Sequence, residues 1–262
     1  MGKYTFRLVL KGPAKACIEV SLYCLGNSSQ WSSKDSKMKS LLTLLFLSYA
    51  VAASANSPTQ NRWQFEVLLD DKPIGYHNFI VSEKNGHQTI SAEARFNVKL
   101  LFVNVFSYRH QNEEIWRDNC LTSINAETSS NGTEFVVRGQ AANEGFQVQA
   151  ESSANKLPPC VMSFAYWNPE FLKAEKLLNS QTGDYEKVTI VKEGEEGLLV
   201  NGQNIQAIRY SVSGAAAPIT LWYAAADNRW LALESVVKGG RILRYKPVRL
   251  PDTLSASNTA GG

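Results

Sequence analysis

Signatures that commit a chain to one chemistry are scarce here. There is no Cys-x-x-Cys pair, and the three histidines, His77, His87 and His110, lack the spacing of a metal site. No Gly-x-Ser-x-Gly elbow or other nucleophile signature occurs. These absences argue against a metal centre, a bound cofactor and a conventional nucleophilic hydrolase. Long apolar runs are missing as well, with one exception at residues 41–53. That run is 13 residues long, and a membrane-spanning helix needs roughly 17 to 25.

The exception is informative. Residues 38–55 read MKSLLTLLFLSYAVAASA, which matches a secretory signal peptide: Lys39 after a possible initiator Met38, an apolar stretch, then the small-x-small pattern Ala53-Ser54-Ala55. Cleavage between Ala55 and Asn56 is expected, with retention as an uncleaved anchor the competing reading. No cysteine stands just after the cleavage site, so soluble export is favoured over a lipid anchor. A signal peptide works at an N-terminus, so residues 1–37 are either upstream of the true start at Met38 or an extension removed with the leader, in both cases without folded structure. The expected location is the periplasm.

Cleavage changes the charge. Of 27 basic and 24 acidic residues, seven and two respectively precede Asn56, leaving 20 against 22. The basic excess belongs to the discarded segment, and nothing remains to recommend nucleic acid or an anionic surface as partner. The remaining 207 residues suit one domain of the larger all-β kind, placed at residues 56–250, with a Ser/Thr/Gly/Asn-rich tail at 251–262 expected to be disordered. Of the four cysteines, Cys17 and Cys24 fall in the leader region. In an oxidising compartment Cys120 and Cys160 form one disulfide, the alternative being two buried free thiols.

The remaining pattern is that of strands. Trp63, Phe65, Val67 and Leu69 alternate with polar neighbours, and similar stretches recur to Tyr245. Asn85-Gly86 and Asn131-Gly132 mark tight hairpins. The period breaks at Leu157-Pro158-Pro159-Cys160, and residues 161–179 take a helical spacing in which Asn168-Pro169-Glu170 looks like a helix start. Ten or so sequential antiparallel strands exceed a comfortable open sheet. The expected fold is mainly β: an antiparallel up-and-down meander curled into an open barrel or half-barrel, with one short helical segment. Its interior is either filled or left as a ligand cavity.

Three stretches resemble a bacterial exported family known as domain of unknown function 6134, and more distantly its neighbour numbered 3108. They are Asp71-Lys72-Pro73-Ile74-Gly75-Tyr76-His77-Asn78-Phe79, then Tyr108-Arg109-His110 with Glu113-Glu114-Ile115-Trp116 and Cys120-Leu121, then the run from Cys160 through Tyr166-Trp167-Asn168-Pro169. The resemblance carries no reaction with it. The ending, Leu221-Trp222-Tyr223 followed by Asn228-Arg229-Trp230-Leu231, is similar to Lol-type periplasmic half-barrels that hold acyl chains, an architectural likeness only.

Candidate sites follow from residue type. His77 and His110 sit in aromatic strands and are the best residues for general-base chemistry, His110 with Glu113 or Glu114, although structural histidines are commoner. The glutamates Glu83, Glu93, Glu113, Glu114, Glu195 and Glu196 read as solvated strand or turn charges. Tyr166 and Tyr223 belong to an aromatic-rich set in which Tyr108, Trp116, Trp167, Trp222 and Trp230 are the preferred ligand contacts, because Tyr and Trp pair an apolar body with a polar handle. The leading expectation is a non-enzymatic periplasmic protein binding an apolar or amphipathic, lipid-like molecule. Alternatives are a cell-envelope assembly module using sheet edges or an aromatic patch, and a hydrolase built on His77 or His110.

Overall fold

The computed structural model describes residues 59–252 apart from 101 and 152. The upstream extension 1–37, the signal peptide 38–55, the Ala55–Asn56 junction and the tail from 253 lie outside the described residues.

Strands dominate. They are β1 (Thr59–Leu69), β2 (Lys72–Lys84), β3 (His87–Leu100), β4 (Val103–Arg117), β5 (Cys120–Ser130), β6 (Thr133–Ala142), β7 (Gly145–Ala150) and β8 (Ser153–Leu157), followed by β9 (Lys176–Leu178), β10 (Tyr185–Lys187), β11 (Thr189–Val200), β12 (Gln203–Ser213), β13 (Ile219–Ala224), β14 (Trp230–Val237) and β15 (Arg241–Arg249). The tight turns have chemical causes. Asn85 and Gly86 have φ of 53° and 72°, and Asn131 and Gly132 have 49° and 82°. Both central residues of such a hairpin turn need positive φ, which Asn and Gly tolerate best. Asp70-Asp71 and Asp118-Asn119 adopt the same geometry without glycine, using the short polar side chains that tolerate it next best.

Thirteen strands form one antiparallel sheet in the order β11-β12-β13-β14-β15-β1-β2-β3-β4-β5-β6-β7-β8, and β9 and β10 pair separately. The first and last strands therefore meet at its centre, where Val67 lies opposite Tyr245. Laid flat at about 4.8 Å per strand, thirteen strands would span about 60 Å. Instead, inward residues from β1 through β7 and from β12 to β15 share one hydrophobic cluster, so the sheet curls around a common interior. Among the described residues its edges, β8 and β11, do not pair, and the barrel stays open. Charged Lys192, Glu193, Glu195 and Glu196 and an irregularity at Gly194 mark the β11 edge, features that discourage edge-to-edge association.

Residues 158–188 connect those two edges and fill part of the interior. Val161, Ala165, Trp167, Phe171, Leu177 and Leu178 are buried in the main cluster. The segment is pinned by the Cys120–Cys160 disulfide, by Leu121 N–H donating to Val161 C=O at 2.9 Å, and by Tyr223 Oη donating to Tyr166 C=O at 2.8 Å. The helical spacing read over 161–179 is corrected here. Only Pro169–Lys173 is helical, a 310 turn whose cap Asn168 accepts from Glu170 N–H at 3.0 Å. The apolar residues of this segment face an enclosing sheet from several directions, which scrambles the one-faced periodicity of a surface helix. The tail expectation is also shortened, since Pro251 is buried and its carbonyl accepts from Arg229 Nη1 at 2.5 Å.

Candidate ligand cavity

The β4 strand organises the site. Its inward side chains are Phe106, Tyr108, His110, Asn112, Glu114 and Trp116, while Arg109, Gln111, Glu113, Ile115 and Arg117 are exposed. This is the two-residue period of a strand with one face in the interior. On neighbouring β3 the inward residues are small. Ala94 lies between His77 of β2 and His110 of β4, and Ala92 lies between Phe79 and Asn112. Ala92, small in the midst of large side chains, borders a cavity of about 630 Å³. That falls within the roughly 300 to 1,000 Å³ of small-molecule sites.

At one end of the sheet the cavity is bounded by Leu69, Ile74, Val98, Val105, residues 215–217, Lys238 and Arg241, which belong to successive strand ends and turns. Farther in it meets Phe79, Ile90, Ala92, Glu114, Ala165 and Trp167. The β1–β2 turn is tied to this rim, as Asp70 accepts from Arg241 Nε at 2.7 Å and from Ile242 N–H at 2.9 Å. Residues 158–188 contribute Ser163, Phe164, Tyr166, Trp167, Ser180 and Glu186 to the lining.

Polar groups on this apolar wall are few and specific. Glu114 is buried and accepts from Asn112 Nδ2 at 2.9 Å and Trp116 Nε1 at 2.8 Å. Burial pushes its carboxyl above the usual value, opposed by those hydrogen bonds and one from Ser163. His110 shares a hydrogen bond with Thr128 Oγ1 at 2.7 Å and contacts Ser180 Oγ at 3.4 Å. Burial lowers its pKa to about 4, so the ring is neutral near pH 7. His77 is driven well below its ordinary value by burial and then by His110. Its Nδ1 lies 3.0 Å from Tyr245 Oη. That hydrogen bond satisfies both groups there. Three buried atoms lining the cavity have no hydrogen-bond partner among the described residues: His77 Nε2, Asn112 Oδ1 and Glu186 Oε2. Such atoms each cost about 1–3 kcal/mol and concentrate where polar groups are kept for a task.

The sequence-selected aromatics divide. Tyr108 and Trp167 line the cavity, whereas Trp116, Trp222 and Trp230 do not. Trp116 is fully buried beside Trp167, with ring centroids 5.6 Å apart. Trp230 donates Nε1 to Ala232 C=O at 2.9 Å and packs against Phe65. Both are core. Trp222 falls on the opposite face of β13, in a smaller cluster with Ala207, Ala224, Leu231 and Ala232, and donates to Glu196 at 2.7 Å. His77 and His110 both reach the cavity. The solvated reading of Glu113-Glu114 holds for Glu113 and fails for Glu114, which shares the inward phase of Trp116. That phase was the available signal. Glu186 and Ser180 carried none, because they arrive on the interior segment. Among the described residues no group of three or more His, Cys, Asp or Glu could hold a metal ion.

Fold and cavity together define an open, barrel-like antiparallel sheet with an interior segment and a partly apolar chamber. The chain belongs to the family described as Domain of unknown function (DUF6134), which matches residues 65–248. A similar solved structure is a beta-barrel-like protein of Domain of Unknown Function DUF1849 from Brucella abortus, with a TM-score of 0.55 and 10% identity, covering 75% of this chain and 98% of that one. At that identity the likeness is one of fold. No curated protein matches the chain.

Proposed function

We propose that this chain is an exported, periplasmic, non-enzymatic protein that holds an apolar or amphipathic, lipid-like small molecule inside its curled sheet. The carrying observation is the chamber of about 630 Å³, walled by Phe79, Ile90, Phe96, Phe106 and Trp167 and containing a small convergent set of polar groups. Apolar walls supply affinity in proportion to the area taken from water, about 25 cal/mol per Å² before association costs. The few polar groups then fix orientation. Export is supported by the leader-like residues 38–55 and by the Cys120–Cys160 disulfide, a bond that persists in oxidising compartments. No helix among the described residues is long and apolar enough to cross a membrane.

Native mass spectrometry of the protein purified from the periplasm, with organic extraction of the same sample, tests this reading. The expected result is a mass above that of the bare polypeptide and a discrete extractable small molecule. Bare protein that also fails to bind any acyl-chain probe overturns it.

A further inference from the structure

Two tyrosine hydroxyls distinguish this chamber. Tyr108 and Tyr166 both line it. Their rings are set by aromatic packing, Tyr108 stacked on Phe96 at 5.1 Å and Tyr166 against Trp230 at 5.2 Å. One is held by β4 and the other by the interior segment, so they approach the chamber from different elements. Neither phenol has a hydrogen-bond partner among the described residues, and neither is among the buried atoms cut off from solvent. Tyr245, whose hydroxyl is engaged by His77, acts electrostatically on both, and Glu186 acts on Tyr166. A phenol hydroxyl both donates and accepts, so a ligand group that does the same suits the pair.

The charges around them narrow the choice. Glu114 and Glu186 line the chamber, and the histidines beside them are neutral near pH 7 for the reasons given above. The lining cations are Lys238 and Arg241, both exposed at the rim, and Arg241 is engaged by Asp70. An anionic head carried inward would lose its hydration next to carboxyl groups, with no cation among the described inner lining residues to receive it.

We propose that the chamber selects an amphipathic molecule whose inward polar group is uncharged and hydroxyl-bearing, with Tyr108 and Tyr166 as its specificity-determining contacts. This rests on the ligand-holding reading of the cavity.

Calorimetric titration at pH 8 with three probes of one chain length tests it: monolauroylglycerol, laurate and dodecylamine. The glycerol ester is expected to bind at least about tenfold more tightly than laurate, and Tyr108→Phe and Tyr166→Phe to weaken it about fivefold each, the usual worth of a neutral hydrogen bond. Laurate affinity is expected to stay unchanged in both variants. Circular dichroism melts identical to the parent confirm that the variants fold. Laurate equal to or tighter than the ester overturns the proposal, as does tightest binding of dodecylamine, which would assign recognition to Glu114 and Glu186. Unchanged ester binding in both folded variants also overturns it. Tight binding of all three probes alike leaves the ligand-holding reading standing while removing this one, and failure of every probe removes both.

Discussion

Filling the chamber separates a true cavity from an interior already packed. Ala92 is buried on β3, lines the chamber, and lies between Phe79 and Asn112. Ala92→Leu adds three carbons directed into that space. At about 0.8 kcal/mol per buried CH₂ they contribute about 2.4 kcal/mol. Fixing the new side chain costs about 0.5–1 kcal/mol, so the ligand-free variant should gain about 1.5 kcal/mol. For a domain of this size that corresponds to about 3–6 °C in Tm. In a packed interior the same carbons would force side chains off their rotamers and cost about 1–3 kcal/mol. The two cases differ in sign. Thermal and urea melts of protein stripped of small molecules by denaturation and refolding measure it, and weakened binding of an acyl-chain probe accompanies the gain. A loss of stability of about 1 kcal/mol or more refutes the reasoning.

Reducing the Cys120–Cys160 bridge, which closes a separation of 40 residues, should cost about 4 kcal/mol by the chain-entropy argument; urea melts with and without reductant, or of Cys120→Ser with Cys160→Ser, check the figure. Stability should fall as pH drops from about 6.5 to about 4, because the unfolded His110 ring takes a proton throughout that window while the folded ring does not. The loss from this group is about 3 kcal/mol. Glu114, raised by burial, pulls the opposite way above its unfolded value, so the pH profile of His110→Gln subtracted from that of the parent isolates the histidine; profiles that superimpose would refute the assignment. Gly75→Ala should destabilise by about 3 kcal/mol or prevent folding, since an added Cβ would sit 1.8 Å from the Arg95 carbonyl oxygen; soluble yield and melting of the variant report it.

The strands were readable because one face of the sheet is interior and the other is not. Phe106 through Trp116 alternate so cleanly that phase alone sorts the β4 residues, and Asn-Gly at 85–86 and 131–132 fixes two hairpins. At Gly194 a register irregularity interrupts the two-residue period, so the alternation does not run unbroken along β11. The interior segment was legible only in outline. Asn168-Pro169 announced a helical start that lasts a single turn, since tertiary burial of Phe171, Leu177 and Leu178 decides the conformation there. For the candidate site, residue type singled out Tyr108, Trp167, His77 and His110, which line the chamber. It could not separate them from Trp116 and Trp230, because indoles that fill a core and indoles that bound a chamber share the same strand pattern. Of the small inward residues on β3 it is Ala92 that borders the empty space, a residue that draws no notice in a sequence.

The pairing of β1 with β15 bears on how the chain is made. A ribosome supplies strands in numerical order, yet the central seam joins residues 64–69 to residues 243–249. Until the final strand emerges, β1 presents an unpaired edge and β14 lacks a neighbour, so no growing fragment can complete the sheet. Both true edges lie mid-chain, and it is the chain's last strand that completes the centre. Such a wiring makes completion of the described sheet depend on two strands from opposite ends of the described chain, so the sheet closes its middle late.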